Sequence, residues 1–349
     1  MRLSCQIRSM ALRPVSRIGF AASIFLCFFH AKPACAQDRE ETVRINTNPR
    51  TFYVHLPSGY DAKKRYPLVI ALHGLGGDGQ LMAHVSHLDE TADRFGFIVV
   101  YPNASEGRWT KLDPRPQGGF GPIGRRGIGL GPPPSPTARD AREPGGEPIN
   151  DTPYFDAMLD MLESEYRIDA SRVYATGFSD GGFMAFRLGC EMAYRISAIA
   201  TVAATLPFGL AETCTNWAWR SVPLLMINGT ADPIITYSGR PGLSVRFPLL
   251  GAKDTLKLWS KMDGCGSKPV RTKIAPQSPG GMETQVDTYN DCHEGGDAVL
   301  YSVVKGGHSW PGGDPYMPEK IAGATSHDLD AGEIIWQFFA AHPFPFAEH

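Results

Sequence analysis

The sequence predicts an α/β fold in which a mostly parallel central sheet is covered by helices on both faces. Three observations carry that expectation. Short β-branched runs alternate with helix-periodic segments from Tyr66 almost to the end of the chain. Several of the runs, Tyr66–Leu72 first among them, are apolar at consecutive positions, as strands buried on both faces are. Glycine-containing turns then follow three of those runs, at His73–Gly79, Gly177–Gly182 and Asn228–Gly229.

Taken in order, Thr42–Asn46 and Arg50–His55 read as an opening antiparallel pair, and Tyr66–Leu72 as the first buried strand. Gln80–Phe95 follows as one helix, with Leu81, Val85 and Leu88 near helical spacing, and Phe97–Tyr101 as a strand. Tyr154–Tyr166 sets Phe155, Met158, Leu159 and Leu162 on one face of an amphipathic helix. Arg172–Thr176 is the next strand, and a helix begins after Ser179. Ala198–Ala203 and Pro223–Ile227 are further strands, Asp254–Met262 a helix, Val299–Val304 a late strand and Leu329–Ala341 a closing amphipathic helix. Ala104–Asn150 breaks this rhythm, with 10 Gly and 9 Pro among 47 residues. A stretch of that length without regular structure inside a compact domain is either functional or disordered. It leaves the sheet on the side where α/β enzymes hold their ligands, so a lid or substrate platform competes evenly with an insertion of no specific role.

Residues 1–36 have the make-up of a signal peptide: a leader with Arg2, Arg8, Arg13 and Arg17, an apolar run Ile18–Phe29, and the small-x-small pattern Ala34-Cys35-Ala36. The run is too short for an ordinary membrane span. The expectation is an exported protein, extracellular or periplasmic, whose single domain occupies residues 37–349 and keeps no stable hold on a membrane. Losing the leader's basic residues takes the net charge below the −2 of the full chain, a poor balance for nucleic acid. The domain retains Cys190, Cys214, Cys265 and Cys292. An even number in an oxidising compartment implies two disulfides, in one of three connectivities. Cys190–Cys214 with Cys265–Cys292 is favoured, because each pair closes a local loop of about 25 residues.

Gly177-Phe178-Ser179-Asp180-Gly181 lies between the strand-like Arg172–Thr176 and the helix-like Gly182–Leu188. That is the strand–turn–helix setting of a nucleophile elbow on an α/β-hydrolase fold, which makes Ser179 the expected nucleophile. A serine hydroxyl needs an adjacent base. His308 follows the last strand through Gly306-Gly307 and is preferred to His327, which lies in a polar segment before the final helix. Asp232, after the strand that ends at Ile227, is preferred as the acid to Asp254 and Asp291. The backbone N–H groups of Asp180 and of Leu75, in the loop His73–Gly79, are the expected oxyanion donors. His84 and His87 share a helix face but have no third ligand at metal-site spacing, so no metal or other cofactor is expected.

Together, Leu72-His73-Gly74, Gly177–Met184, Asn228–Pro233 and Gly306-Gly307-His308-Ser309-Trp310-Pro311-Gly312 resemble the secreted polyhydroxybutyrate depolymerase-like esterases. That group stands with the feruloyl and acetylxylan esterases of carbohydrate esterase family 1. The resemblance covers about Arg50 to Ala340; it implies Ser179, Asp232 and His308 as the triad, and supports the pair Cys265–Cys292. Asn228 departs from the histidine usual at that position, and the Ala104–Asn150 segment is longer than the group's. Trp310 and Trp109 are expected to wall the substrate site. The function expected is a monomeric serine esterase acting on a hydroxyalkanoate polymer or oligomer, or on feruloyl or acetyl groups of a polysaccharide. A serine peptidase of the same fold, or a binding protein that has kept it, are the competing classes.

Overall fold

The computed structural model describes residues 39–45, 48–109, 150–217, 220–240 and 248–344. Strands β1 (Arg39–Ile45) and β2 (Asn48–His55) form the expected antiparallel pair, with Thr42 opposite Thr51. β3 (Tyr66–Leu72) is buried at every position. The segment expected to be one helix is two, α1 (Gly79–Ser86) and α2 (Leu88–Phe95). His87 parts them in the left-handed region at φ 52°, its N–H capping α1 on the Ala83 carbonyl. A non-glycine residue holds that conformation only where its surroundings offset the strain, and here the His87 imidazole hydrogen-bonds to Asp314, far along the chain.

The chain continues through β4 (Ile98–Pro102), α3 (Thr152–Glu165), β5 (Ile168–Phe178) and α4 (Asp180–Glu191), then β6 (Ala198–Val202), α5 (Phe208–Trp217) and β7 (Leu224–Gly229). After α6 (Ala252–Met262) come β8 (Val270–Ile274), β9 (Thr284–Tyr289), β10 (Ala298–Val303), the single turn α7 (Glu319–Ala322) and α8 (Ala331–Ala341). The sheet order is β1-β2-β4-β3-β5-β6-β7-β10-β9-β8. Its middle, from β4 to β10, is parallel throughout, and both edges are antiparallel. The mostly parallel sheet of the sequence reading is therefore present, with an antiparallel pair β8–β9 that the reading missed. β8 is exposed along nearly its whole length and carries Arg271 and Lys273, ion-paired to Asp287 and Glu283, in place of an apolar period. α5 was also missed: its buried positions Leu210, Ala211 and Cys214 are too few to set a pattern.

Period-two alternation splits the central strands between two cores. Leu68, Ile70 and Leu72 of β3 pack with Phe155 and Leu159 of α3, Phe186 of α4 and Trp259 of α6. Val69 and Ala71 pack on the opposite face with Val85 of α1, Leu88 of α2 and Ile335 and Phe339 of α8. Each such side chain contributes roughly 1.5–3 kcal/mol on leaving water, so register slips in this sheet are strongly disfavoured. The consequence for function is that the carboxyl ends of β3, β5, β6, β7 and β10 all open on one rim.

Both local disulfides are formed, Cys190–Cys214 joining α4 to α5 and Cys265–Cys292 joining the turn after α6 to the turn before β10. The first spans 24 residues. Replacing both of its cysteines by alanine should lower the free energy of urea unfolding by about 3 kcal/mol. A loss below about 1 kcal/mol would mean that this crosslink does not restrain the unfolded chain.

Candidate active site

β5 stops at Phe178 and α4 starts at Asp180, so Ser179 alone makes the turn, at φ 55° and ψ −115°. A side chain there is strained, and the strain is held by hydrogen bonds on both sides. The Ser179 N–H donates to the Val202 carbonyl at 2.9 Å, while its own carbonyl accepts from Gly182 and Phe183 at 2.9 and 3.2 Å. The turn is tight enough that glycine is needed for close approach: a Cβ at Gly177 would overlap the Gly181 carbonyl, and one at Gly181 the Leu72 carbonyl.

His308 enters from β10 through Lys305, itself left-handed at φ 64°, and Gly306-Gly307. Its N–H donates to the Ala322 carbonyl of α7 at 2.6 Å, that of Gly307 to Ala324 at 2.8 Å and that of Lys305 to Thr230 Oγ1 at 2.9 Å, which together pin the loop. The imidazole is buried, with Nδ1 2.8 Å from Asp232 Oδ2 and Nε2 2.9 Å from Ser179 Oγ. An ionised carboxylate only accepts, which places the ring proton on Nδ1 and leaves Nε2 to accept the Ser179 hydroxyl. Asp232 Oδ1 takes the N–H groups of Ile234 and Ile235 at 2.7 and 2.9 Å, fixing the plane of the carboxylate. The competing residues stand apart from this arrangement: His327 is exposed, Asp254 lies in the first turn of α6, and Asp291 is exposed beside Cys292.

The loop after β3 presents amides to the same rim. Gly76 donates to the Gly107 carbonyl at 2.8 Å and Gly77 to the Gly74 carbonyl at 3.1 Å. The N–H of Leu75, just before them, has no acceptor among the described residues. Its direction is set from the far side of its own peptide, because N–H and C=O of a trans unit point oppositely. That carbonyl, of Gly74, accepts from His73 Nδ1 at 2.8 Å as well as from Gly77. His73 Nε2 in turn accepts the Ala104 N–H at 3.0 Å, which fixes the tautomer. Burial, opposed chiefly by the bond to Gly74, holds the His73 pKa below its ordinary 6.5.

Several side chains at this rim were not foreseen. Tyr316 donates to the Leu75 carbonyl at 3.3 Å and packs on Phe178 with ring centroids 5.1 Å apart; burial pushes its hydroxyl up to about 12. A small apolar cluster, apart from the two cores, joins Phe183, Ala204, Ile234, Ile235 and Leu249, with Met317 against it. Phe183 lies one helical turn beyond Ser179 and Ile234 two residues beyond Asp232, so this cluster adjoins the serine. Leu75, in the loop after β3, and Phe208, which opens α5, stand 49% and 50% exposed. Leu75 and Phe183 lie in segments the sequence marks for other reasons, but the grouping of these side chains follows only from the tertiary fold.

Two expectations need correction. Trp109 and Trp310 do not present a face to substrate: they are 3% and 1% exposed. Trp310 belongs to the core beneath α1 and α8, and the Trp109 ring sits between His73 and Phe155, at 5.0 and 5.6 Å. An aromatic near a catalytic motif is as easily a packing element as a platform, and here packing prevails. Residues 1–36, and 110–149 of the insertion, lie outside the described residues. His84 and His87 both reach Asp314, at 3.6 and 3.1 Å, yet no group able to hold a metal ion occurs among the described residues.

The state of His73 has a consequence for stability. A histidine whose folded pKa lies below its unfolded value binds fewer protons in the native state. Its contribution is therefore complete above pH 6.5 and is lost as pH falls through that value toward the folded pKa. His73→Gln, which keeps an acceptor for the Ala104 N–H, should flatten the acid side of a stability–pH curve measured by urea unfolding. An unchanged slope below pH 6.5 would mean that other groups carry the acid sensitivity.

The family model described as Esterase PHB depolymerase matches residues 50–114, from β2 across the amide loop. The putative esterase NocK of Nocardia uniformis subsp. tsuyamanensis is 29% identical over 300 residues, covering 83% of this chain and 78% of its own. A probable feruloyl esterase C of Aspergillus terreus is 26% identical over 277 residues, covering 78% of this chain and 83% of its own. Among solved structures, the acetyl xylan esterase from Aspergillus awamori superposes with a TM-score of 0.53 at 16% identity, over 87% of this chain and 99% of that one. The last likeness is one of fold alone. With the family match and the relatives added to it, the chain has the α/β-hydrolase fold and is similar to the polyhydroxybutyrate depolymerase, feruloyl and acetylxylan esterases.

Proposed function

We propose that this protein is an exported serine esterase that removes feruloyl or acetyl groups from polysaccharide through an acyl-enzyme on Ser179. The observation that carries the mechanism is the unbroken hydrogen-bond chain Ser179–His308–Asp232 at a strained strand–helix turn. Ser179 Oγ adds to the ester carbonyl carbon as its proton passes to His308 Nε2. The carbonyl π electrons move onto oxygen, and the N–H groups of Leu75 and Asp180 donate hydrogen bonds to the resulting oxyanion; one such donor is worth about 10²–10³ in rate. Collapse of the tetrahedral adduct breaks the bond to the alcohol oxygen, which leaves with the proton from His308. Water then repeats the sequence on the acyl-enzyme, with His308 as base, and releases the carboxylic acid and the free serine. Asp232 keeps the imidazole in the Nδ1–H tautomer and balances its positive charge when Nε2 is protonated.

The acyl preference draws on the relatives, named as feruloyl and acetylxylan esterases, and on the half-exposed Leu75 and Phe208, suited to an apolar or aromatic acyl group. The hydroxyalkanoate alternative draws on the name of the matched family model. Export draws on the composition of residues 1–36 and on two disulfides, which persist in oxidising compartments. Among the described residues no helix is long and apolar enough to cross a membrane.

A fluorophosphonate should label Ser179 of the folded protein stoichiometrically, and Ser179→Ala should lose about 10⁴-fold or more in kcat on p-nitrophenyl acetate. Absence of labelling would leave the binding-protein reading standing, and faster turnover of peptide anilides than of methyl ferulate would favour a peptidase. Protein recovered after expression in an exporting host should begin at Gln37; recovery with residues 1–36 intact would refute the signal assignment.

A further inference from the structure

Trp109 has no part in the reaction just described, and its burial removes it from the substrate surface. Its contacts nevertheless fall on both segments that supply the oxyanion amides. The indole Nε1–H donates to the His73 carbonyl at 2.8 Å, one peptide before the unit that carries the Leu75 N–H. Its backbone N–H donates to Asp180 Oδ2 at 3.2 Å, on the residue whose own N–H is the second donor. The rest of the strand-to-Trp109 segment is fastened to the same loop: Ala104 N–H to His73 Nε2 at 3.0 Å, and Gly107 carbonyl to Gly76 N–H at 2.8 Å. Behind the indole stands Phe155 of α3, 5.6 Å between centroids, which denies the ring an outward movement.

We propose that Trp109 is a positioning residue of the oxyanion hole: one side chain and its own backbone N–H couple the loop bearing Leu75 to the turn bearing Asp180, and so fix the gap between the two amide donors. This rests on the serine-esterase reading and adds to it a specific division of labour. The two donors come from parts of the chain separated by more than a hundred residues. Parallel pairing of β3 with β5 aligns the strand ends, Leu72 opposite Gly177, but stops there. Beyond those ends the loop could swing as a body about its glycines. A bridge that holds one loop by a carbonyl and the other by a carboxylate removes that freedom. Such alignment acts on the transition state, because the amides must meet the oxyanion of the tetrahedral adduct and not the carbonyl oxygen of the ground state.

The test separates the indole N–H from the volume of the ring. Trp109→Phe and, as a closer isostere, 3-benzothienylalanine at position 109 both remove the donor to His73; the second retains the full bicyclic shape. With p-nitrophenyl butyrate, each should lower kcat by roughly tenfold to a hundredfold while KM moves less than about twofold. Affinity for an aryl trifluoromethyl ketone, which forms a tetrahedral adduct, should fall by the same factor as kcat/KM, and inhibition by ferulate as product acid should stay constant. Should Trp109→Phe fail to fold, the benzothienylalanine protein decides, with near-ultraviolet circular dichroism reporting its fold. A folded benzothienylalanine protein with unchanged kcat and unchanged ketone affinity overturns the proposal. So does a loss divided evenly between KM and kcat with ketone affinity intact. Ser179→Ala is run alongside: if it keeps its activity, the serine-esterase reading itself has failed, whereas an inactive Ser179→Ala beside a fully active isostere defeats the Trp109 proposal alone.

Discussion

A helix that begins one residue after a strand ends must bring its first turn against the backbone of the neighbouring strand, and the site depends on that crowding. Gly177 and Gly181 approach each other and the Leu72 carbonyl so closely that neither tolerates a Cβ. The crowding leaves Ser179 in a left-handed turn that an isolated peptide would abandon. The sheet pays for it: β5 is held between β3 and β6, and the Ser179 N–H extends the pairing to Val202. Because the strain is over-determined by two strands and a helix, the Ser179 backbone is held firmly, and the loops can be built around a fixed point.

Those loops share a principle. Main-chain groups hold much of the proposed machinery, beside two side-chain contacts, the Asp232 carboxylate on the His308 ring and His73 Nδ1 on the Gly74 carbonyl. Asp232 is held by the N–H groups of Ile234 and Ile235, His308 by the Ala322 carbonyl, and the Leu75 peptide by His73 and Gly77. Backbone donors belong to rigid elements and have no rotamers to lose. Dipoles already aimed at the developing charge need not reorganise when it appears, which is the main source of electrostatic stabilisation at such sites. Burial sharpens the effect: the Asp232 and His308 side chains are about 1% exposed, so their attraction is little screened by solvent.

The parts of this arrangement that could be read from the chain are those governed by local rules. β3, β7 and the second half of β5 are buried at successive positions because helices cover both of their faces, and Ser179, Asp232 and His308 each follow a strand end by a short turn. The relay could therefore be assembled from chain order alone. What escaped the reading depends on partners distant in sequence. His87 breaks a regular apolar period because Asp314 lies opposite it. β8 has no period since its pairing with β9 involves charges. Tyr316 and Met317 reach the rim only through a loop whose path is decided by Asp314 N–H on the Val85 carbonyl.

The tryptophans illustrate the same limit from the other side. A large aromatic next to a catalytic motif is ambiguous in sequence, because stacking on a ligand and filling a core ask for the same side chain. Burial separates the two here: Trp310 is 1% exposed with no partner for its Nε1 among the described residues, and the Trp109 indole donates to a main-chain carbonyl deep inside the protein. Leaving a buried donor unpaired costs about 1–3 kcal/mol, so the indole Nε1–H is held on that carbonyl and away from the substrate surface. In the proposed esterase, recognition of the acyl group would fall to less conspicuous side chains, such as the half-exposed Leu75 of the amide loop and Phe183 and Ile234 of the small apolar cluster. Those positions follow the ends of different strands, so single substitutions there would alter substrate preference while leaving the sheet, the elbow and the amide loop as they are.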